Sequence, residues 1–169
     1  MTSEKLKTVV IKSLEELCKI DVVLIDNAVK EECINHKLAQ YIEKHTKEIL
    51  RELAHISVDV EYNKYKDETK MIGQIPIRPD ILVHKRQSGN SSNYLALEAK
   101  KDYSSKYDKD KIENLISCGD YNYSLGCVIS YQPNRDYLIV QFLQSGRGES
   151  GKGKWERDKY RKNPFEKIE

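Results

Sequence analysis

Long apolar runs are missing from this chain. Nothing in it approaches the roughly 20 consecutive apolar residues a helix needs to cross a bilayer, so no membrane span is predicted. Cysteine is scarce. The four present, Cys18, Cys33, Cys118 and Cys127, form no C-x-x-C pair and no zinc-type spacing with His36, His45, His55 or His84. No N-terminal signal peptide is apparent, so the expectation is reduced thiols in a cytoplasm, where the sequons at Asn90 and Asn122 carry no meaning. An excess of one charge is also lacking: 29 Lys and Arg against 27 Asp and Glu leave a net +2, so nucleic-acid binding would need a local basic patch. No Ser/His/Asp or Cys/His set can be assembled with any specificity. Phenylalanine occurs twice and tyrosine eleven times, which favours rings that pack while their hydroxyls stay wet.

A length of 169 residues suits one domain with a real core. Leu6, Val9, Val10, Leu14 and Leu17 give Glu4 to Leu17 helical spacing. The longest helix is expected from Ala28 to about Leu53, on the stripe Ile34, Leu38, Tyr41/Ile42, Ile49 and Leu53, with Asn27 as its cap. Alternation predicts a strand over Ile56 to Tyr62, and the polar stretch Asn63 to Gln74 reads as a loop. Further strands are expected over Ile77 to His84 and Tyr94 to Ala99, a hairpin around the loop QSGNSSN. A short helix bearing Ile112, Leu115 and Ile116, capped by Asp108, should follow. Strands over Tyr121 to Tyr131 and Tyr137 to Leu143 then complete a mixed sheet, an α/β architecture with helices on both sides and an added N-terminal helix.

Three charges stand inside those central strands: Asp80, Glu98 and Lys100. Side chains alternate along a strand, so Glu98 and Lys100 share a face while Leu95, Leu97 and Ala99 share the other. Ions in an apolar strand cost several kcal/mol each, of order, unless compensated. If pairing brings Asp80 beside Glu98, the two carboxylates repel unless a cation sits between them, and a hard, oxygen-preferring ion such as Mg²⁺ fits. The competing interpretation is that these are surface charges on edge strands, where Lys discourages aggregation.

Pro79-Asp80 followed by Glu98-Ala99-Lys100 resembles the signature of the PD-(D/E)XK nuclease superfamily, and the order of predicted elements over roughly Val29 to Phe142 is similar to that family's core. The resemblance implies a restriction-endonuclease-like fold. It implies that Asp80 and Glu98 bind Mg²⁺ (or Mn²⁺) with the carbonyl of Ala99, that Lys100 orients the attacking water or holds the phosphate, and that a Glu on the first core helix supports the metal. Glu31, at the end of the inward stripe, is chosen over Glu32; its alternative role is a carboxylate favoured by the helix macrodipole. Alternation leaves Glu61 either on the acidic face or in water.

Residues Gly146 to Gly153, GRGESGKG, match seven positions of a phosphate-binding loop and fail at the eighth, where Gly stands in place of Ser or Thr. They read as a flexible linker dividing a nuclease-like domain over residues 1–145 from a basic segment over 146–169. In that segment Lys152, Lys154, Arg157 and Lys159 surround Trp155, and such an arm either clamps nucleic acid or is simply solvated.

The sequence thus points to a metal-dependent nuclease acting on phosphodiester bonds, DNA before RNA. Its rivals are a catalytically silent nucleic-acid-binding module and a protein-interaction subunit on the same fold. A homodimer or membership of a larger complex stays open.

Overall fold

The apolar stripe of the first helix is buried along its whole length in α1 (Ser3–Ile20), where Leu6, Val9, Val10, Leu14 and Leu17 are closed to solvent. The computed structural model describes residues 3–53, 55–65, 68–86, 92–144 and 153–169. After the short α2 (Val22–Asp26), α3 (Glu31–Ile49) packs its stripe Ile34, Leu38, Tyr41 and Ile42 into the same core. Asn27 does not cap α3. Its backbone N–H closes α2 onto Val23, Ala28 turns the chain with φ of 49°, and α3 starts at Glu31 behind Lys30, which makes no side-chain cap.

Seven strands form one sheet: β1 (Ser57–Val60), β6 (Ile81–His84), β7 (Asn93–Lys100), β8 (Leu125–Ser130), β9 (Tyr137–Gln144), β10 (Trp155–Arg161) and β11 (Glu166–Ile168), adjacent in that order. Neighbours are antiparallel except β7 and β8, which run parallel. A parallel pair needs a crossover, and α4 (Lys106–Ser117) supplies it. The stretch expected to be loop holds two small hairpins, β2 (Lys64–Tyr65) with β3 (Glu68–Thr69) and β4 (Met71–Ile72) with β5 (Ile75–Pro76).

The helices take opposite faces of the sheet. α1 and α3 cover the side built by Leu95, Leu97, Ala99, Cys127, Ile129, Leu138 and Val140. α4 covers the other, setting Ile112, Leu115 and Ile116 against Leu82, Ala96, Val128 and Leu143. Two features fix α4. Its N-terminus is a capping box: Ser105 Oγ accepts from the N–H of Asp108, and the Asp108 carboxylate accepts from the N–H of Ser105. Ser105 is therefore the cap and Asp108 its reciprocal partner, where sequence reading had given the cap to Asp108. At the other contact a Cβ on Gly126 would lie 2.4 Å from Ile112 Cγ2, so only glycine lets the helix lie this close to β8.

The C-terminal segment is not a tethered arm. Residues 145–152, with the phosphate-loop look-alike and Lys152, lie outside the described residues apart from Gly153. Beyond them β10 pairs with β9 from Trp155–Leu143 to Arg161–Tyr137. Trp155 joins the α4-side core, while Tyr160 and Phe165, stacked at 5.2 Å, join the α1-side core. Lys162 is 4 % exposed and its ammonium donates to Asp26 and to the carbonyl of Gln132.

A chain ended at Gln144 loses one buried aromatic, Tyr160, worth about 1.5–3 kcal/mol, and two partly buried ones, Trp155 and Phe165, worth less each, together a large share of the stability of a domain. Its thermal melt should lose cooperativity or fall by more than 10 °C, of order. A truncated chain melting with the full-length protein would restore the solvated-tail view.

Candidate metal centre

The β7 strand is buried from Asn93 to Ala99, and Glu98 lies in that run at 1 % exposure. The register pairs Leu82 with Ala96 and Ile81 with Leu97. Asp80, directly before β6, therefore falls on the face of Ala96 and Glu98, the face α4 covers. Beyond the Ile81–Leu97 pair, the N–H of Ala99 donates to Asp80 Oδ2 at 2.8 Å. Asp80's own carbonyl accepts from the N–H of Glu61 at 2.9 Å, so both neighbouring strands hold this residue in place.

Lys100 gathers the acidic groups. Its Nζ is 3.0 Å from Glu98 Oε1, 3.2 Å from Glu31 Oε1 and 3.9 Å from both Asp80 Oδ2 and Asp108 Oδ1. Glu31 reaches over the end of the sheet from the start of α3, and its Oε2 accepts from the N–H of Lys101 at 2.9 Å. Glu32 is exposed. The structure thus brings Glu31, Asp80, Glu98 and Lys100 together, and Asp108 with them. Glu61 stays apart, paired with Arg78 at 3.2 Å in partial exposure.

One participant has no counterpart in the sequence reading. Lys111, on α4, is buried and places Nζ 2.7 Å from Glu98 Oε1. Helical spacing groups it with Asp108 on the inward face, and that was the available signal. Two ammoniums therefore crowd one oxygen of Glu98. Its other oxygen, Oε2, is buried and meets no hydrogen-bond partner among the described residues.

These surroundings shift the titrations. Burial and the Glu98 charge push Asp80 up to about 6, against the pull of the Ala99 N–H, Lys100 and Lys111. Burial disfavours the Lys100 ammonium, yet Glu98, Asp80 and Glu31 outweigh it and hold the proton above the usual lysine range.

The donors suit a hard divalent cation. Within 3.9 Å of Lys100 Nζ stand four carboxylates, and the two ammoniums of Lys100 and Lys111 leave two charges uncompensated. The unmet Glu98 Oε2 is a buried oxygen with capacity for a ligand bond. Among the described residues no three acidic, imidazole or thiol groups converge as a ready-made cage, so solvent or substrate oxygens would have to complete the shell of an ion on Asp80 and Glu98.

The basic residues expected to touch nucleic acid divide. Lys154 and Arg157 are exposed and Lys159 is half-buried, its ammonium 5.2 Å from the centre of the Tyr137 ring. Arg157 pairs with Gln141 and Lys159 with Ile139, which continue across β8 to Glu98 and Lys100. Both therefore lie on the face of the carboxylates, three strands and about 14 Å away at the usual strand spacing. Compared with family models and with curated proteins, the chain matches none.

Between about pH 4 and 6 Asp80 keeps, in the folded metal-free chain, a proton that the unfolded chain has given up, and above that range it is ionised in both. Stability should accordingly fall as pH rises from about 4 to 6 and stay reduced above it, by about 2 kcal/mol after discounting partial exposure. Asp80→Asn should raise the melting temperature of metal-free protein at pH 7.5 and leave it nearly unchanged at pH 4. A less stable variant at pH 7.5 would show that the carboxylate is stabilising there.

Proposed function

We propose that this chain hydrolyses phosphodiester bonds in nucleic acid, DNA in the first place, with Mg²⁺ or Mn²⁺ held by Asp80 and Glu98. One observation carries the reading: Asp80 is hydrogen-bonded to the amide of Ala99, the residue between Glu98 and Lys100, so two carboxylates and an ammonium converge at the end of a buried strand. The order of α3, antiparallel β1, β6 and β7, crossover α4 and parallel β8 supports a restriction-endonuclease-like core of the PD-(D/E)XK kind.

The bound ion would lower the pKa of its water and offset charge growing on the phosphorane. Asp80 and Glu98 supply its anionic oxygens, with the Ala99 carbonyl beside them. Lys100, whose ammonium the surrounding carboxylates favour, would act as an electrostatic partner of the phosphate. Glu31 orients it, since one of its oxygens holds Lys100 and the other is pinned by the Lys101 amide. Arg157 and Lys159, on the same side of the sheet, would then meet phosphates about four base-pair steps from the reacting one.

The decisive experiment incubates the protein with single- and double-stranded DNA and RNA in Mg²⁺ or Mn²⁺, with EDTA as control. Cleavage should require the ion and vanish in Asp80→Asn and Glu98→Gln. The amide is preferable to Glu98→Ala, which would strand the buried Lys111 ammonium at a cost of about 3–5 kcal/mol. Binding without cleavage of any polymer would favour the silent nucleic-acid-binding module instead.

Lys100→Ala should lower single-turnover cleavage by about 10²–10³ while calorimetric Mn²⁺ affinity does not weaken. Near wild-type cleavage in that variant would remove Lys100 from the mechanism.

A further inference from the structure

Lys100 and Lys111 share Glu98 Oε1 but differ in every other respect. Lys100 Nζ lies within 3.9 Å of Glu31, Asp80, Glu98 and Asp108, so four carboxylates hold it where it is. Among the described residues Lys111 has one ion pair, the 2.7 Å contact with Glu98, although its side chain is only 9 % exposed. Beside it, 5.8 Å from Nζ to the ring centre, is Tyr107, itself 55 % exposed. A lysine ammonium is a compact charge on a flexible four-carbon stem, and an aromatic face is a stabilising place for it. Lys111 thus has a partner to leave and, one helical turn away on its own helix, a solvent-facing place to go.

We propose that Lys111 is a displaceable counter-ion: in the metal-free protein its ammonium stands in for the divalent ion on Glu98, and cation binding drives it off towards Tyr107 and solvent. The proposal rests on the metal-dependent reading above and adds a regulatory residue to it. Without an internal cation, Glu98 would be a buried carboxylate held by Lys100 alone, with Oε2 unmet, and the cost of that burial fixes the need for a second charge. With Lys111 in place, an ion arriving at Glu98 Oε2 meets a like charge 2.7 Å from the other oxygen of the same carboxylate. The site is therefore opposed by its own side chain until a cation is present at sufficient concentration, and Lys111 is a positioning residue for that step.

Neutralising the ammonium tests this. Lys111→Gln keeps a hydrogen-bond donor for Glu98 but no charge; it should bind Mn²⁺ at least tenfold more tightly by calorimetry, melt lower without metal and gain more from Mn²⁺. Lys111→Arg should keep wild-type affinity. A measurement on the unaltered protein removes dependence on the variant folding: peptide-resolved acetylation should find Lys111 protected in EDTA and reactive in saturating Mg²⁺, with Lys100 protected in both. Equal Mn²⁺ affinity in the Gln variant, or Lys111 protection unchanged by Mg²⁺ in protein that demonstrably binds it, overturns the proposal and leaves the metal reading intact. Absence of any cation binding, in wild type and variant alike, overturns both.

Discussion

A carboxylate at 1 % exposure in an interior strand of a sheet is the constraint from which the rest of this face follows. Glu98 interrupts a run in which Tyr94, Leu95, Ala96, Leu97 and Ala99 are all buried. An isolated ion there costs several kcal/mol, of order, and the chain meets the cost with Lys100 from the same strand and Lys111 from α4. Delivering Lys111 requires α4 to lie close on the sheet. That closeness depends on Gly126, where even one methyl group would strike Ile112. The capping box at Ser105 and Asp108 fixes where α4 begins, and so how far along the helix Lys111 falls. Sheet, helix and glycine are thus coupled through one ion pair, and a change at Gly126 acts on the site without touching it.

Much of this centre was legible because a strand has a period of two. Once Tyr94 to Ala99 reads as a strand, Glu98 and Lys100 must share a face, and Pro79-Asp80 ahead of the neighbouring strand supplies the third group. Glu31 was legible from the inward stripe of α3. Lys111 was legible only as an inward-facing residue of α4, because its partner depends on how α4 lies across the sheet, and that is set by a long-range contact with Gly126. The missed β10 has a different cause. In WERDKYR five of seven residues are charged and none but Tyr160 is buried, since one face of β10 extends the α4 side with Arg157 and Lys159 while Glu156 meets Lys7 of α1 on the other. A strand near a sheet edge buries little, so composition made it look like a tail. The α3 boundary moved because Ala28 adopts a turn conformation that no cap residue announces.

The same face carries a second buried charge cluster, and the comparison shows what is unusual about the first. Asp59 accepts from Arg86 Nε at 2.9 Å and lies 2.8 Å from His84 Nε2. Burial would lift its pKa, but Arg86 and His84 outweigh that and hold it below the ordinary carboxylate range. Burial in turn pushes His84 down, against the pull of Asp59, and lowers Lys70, packed 4.6 Å over the Tyr62 ring, to about 8. Here one carboxylate is surrounded by groups that favour its charge, the pattern of a structural anchor.

Around Glu98 the balance runs the other way. Among the described residues acidic groups outnumber ammoniums by two and a carboxylate oxygen is left without a partner, and Asp80 is pushed up rather than down. A fold selected for stability alone gains nothing from such an excess, since replacing a buried ion pair by packed apolar groups is often neutral or stabilising. Asp59 demonstrates that this chain can satisfy a buried carboxylate fully when only an anchor is needed. The deficit of positive charge across Glu31, Asp80, Glu98 and Asp108 is therefore the feature that packing does not explain, and it is the feature on which the proposal of a bound cation rests.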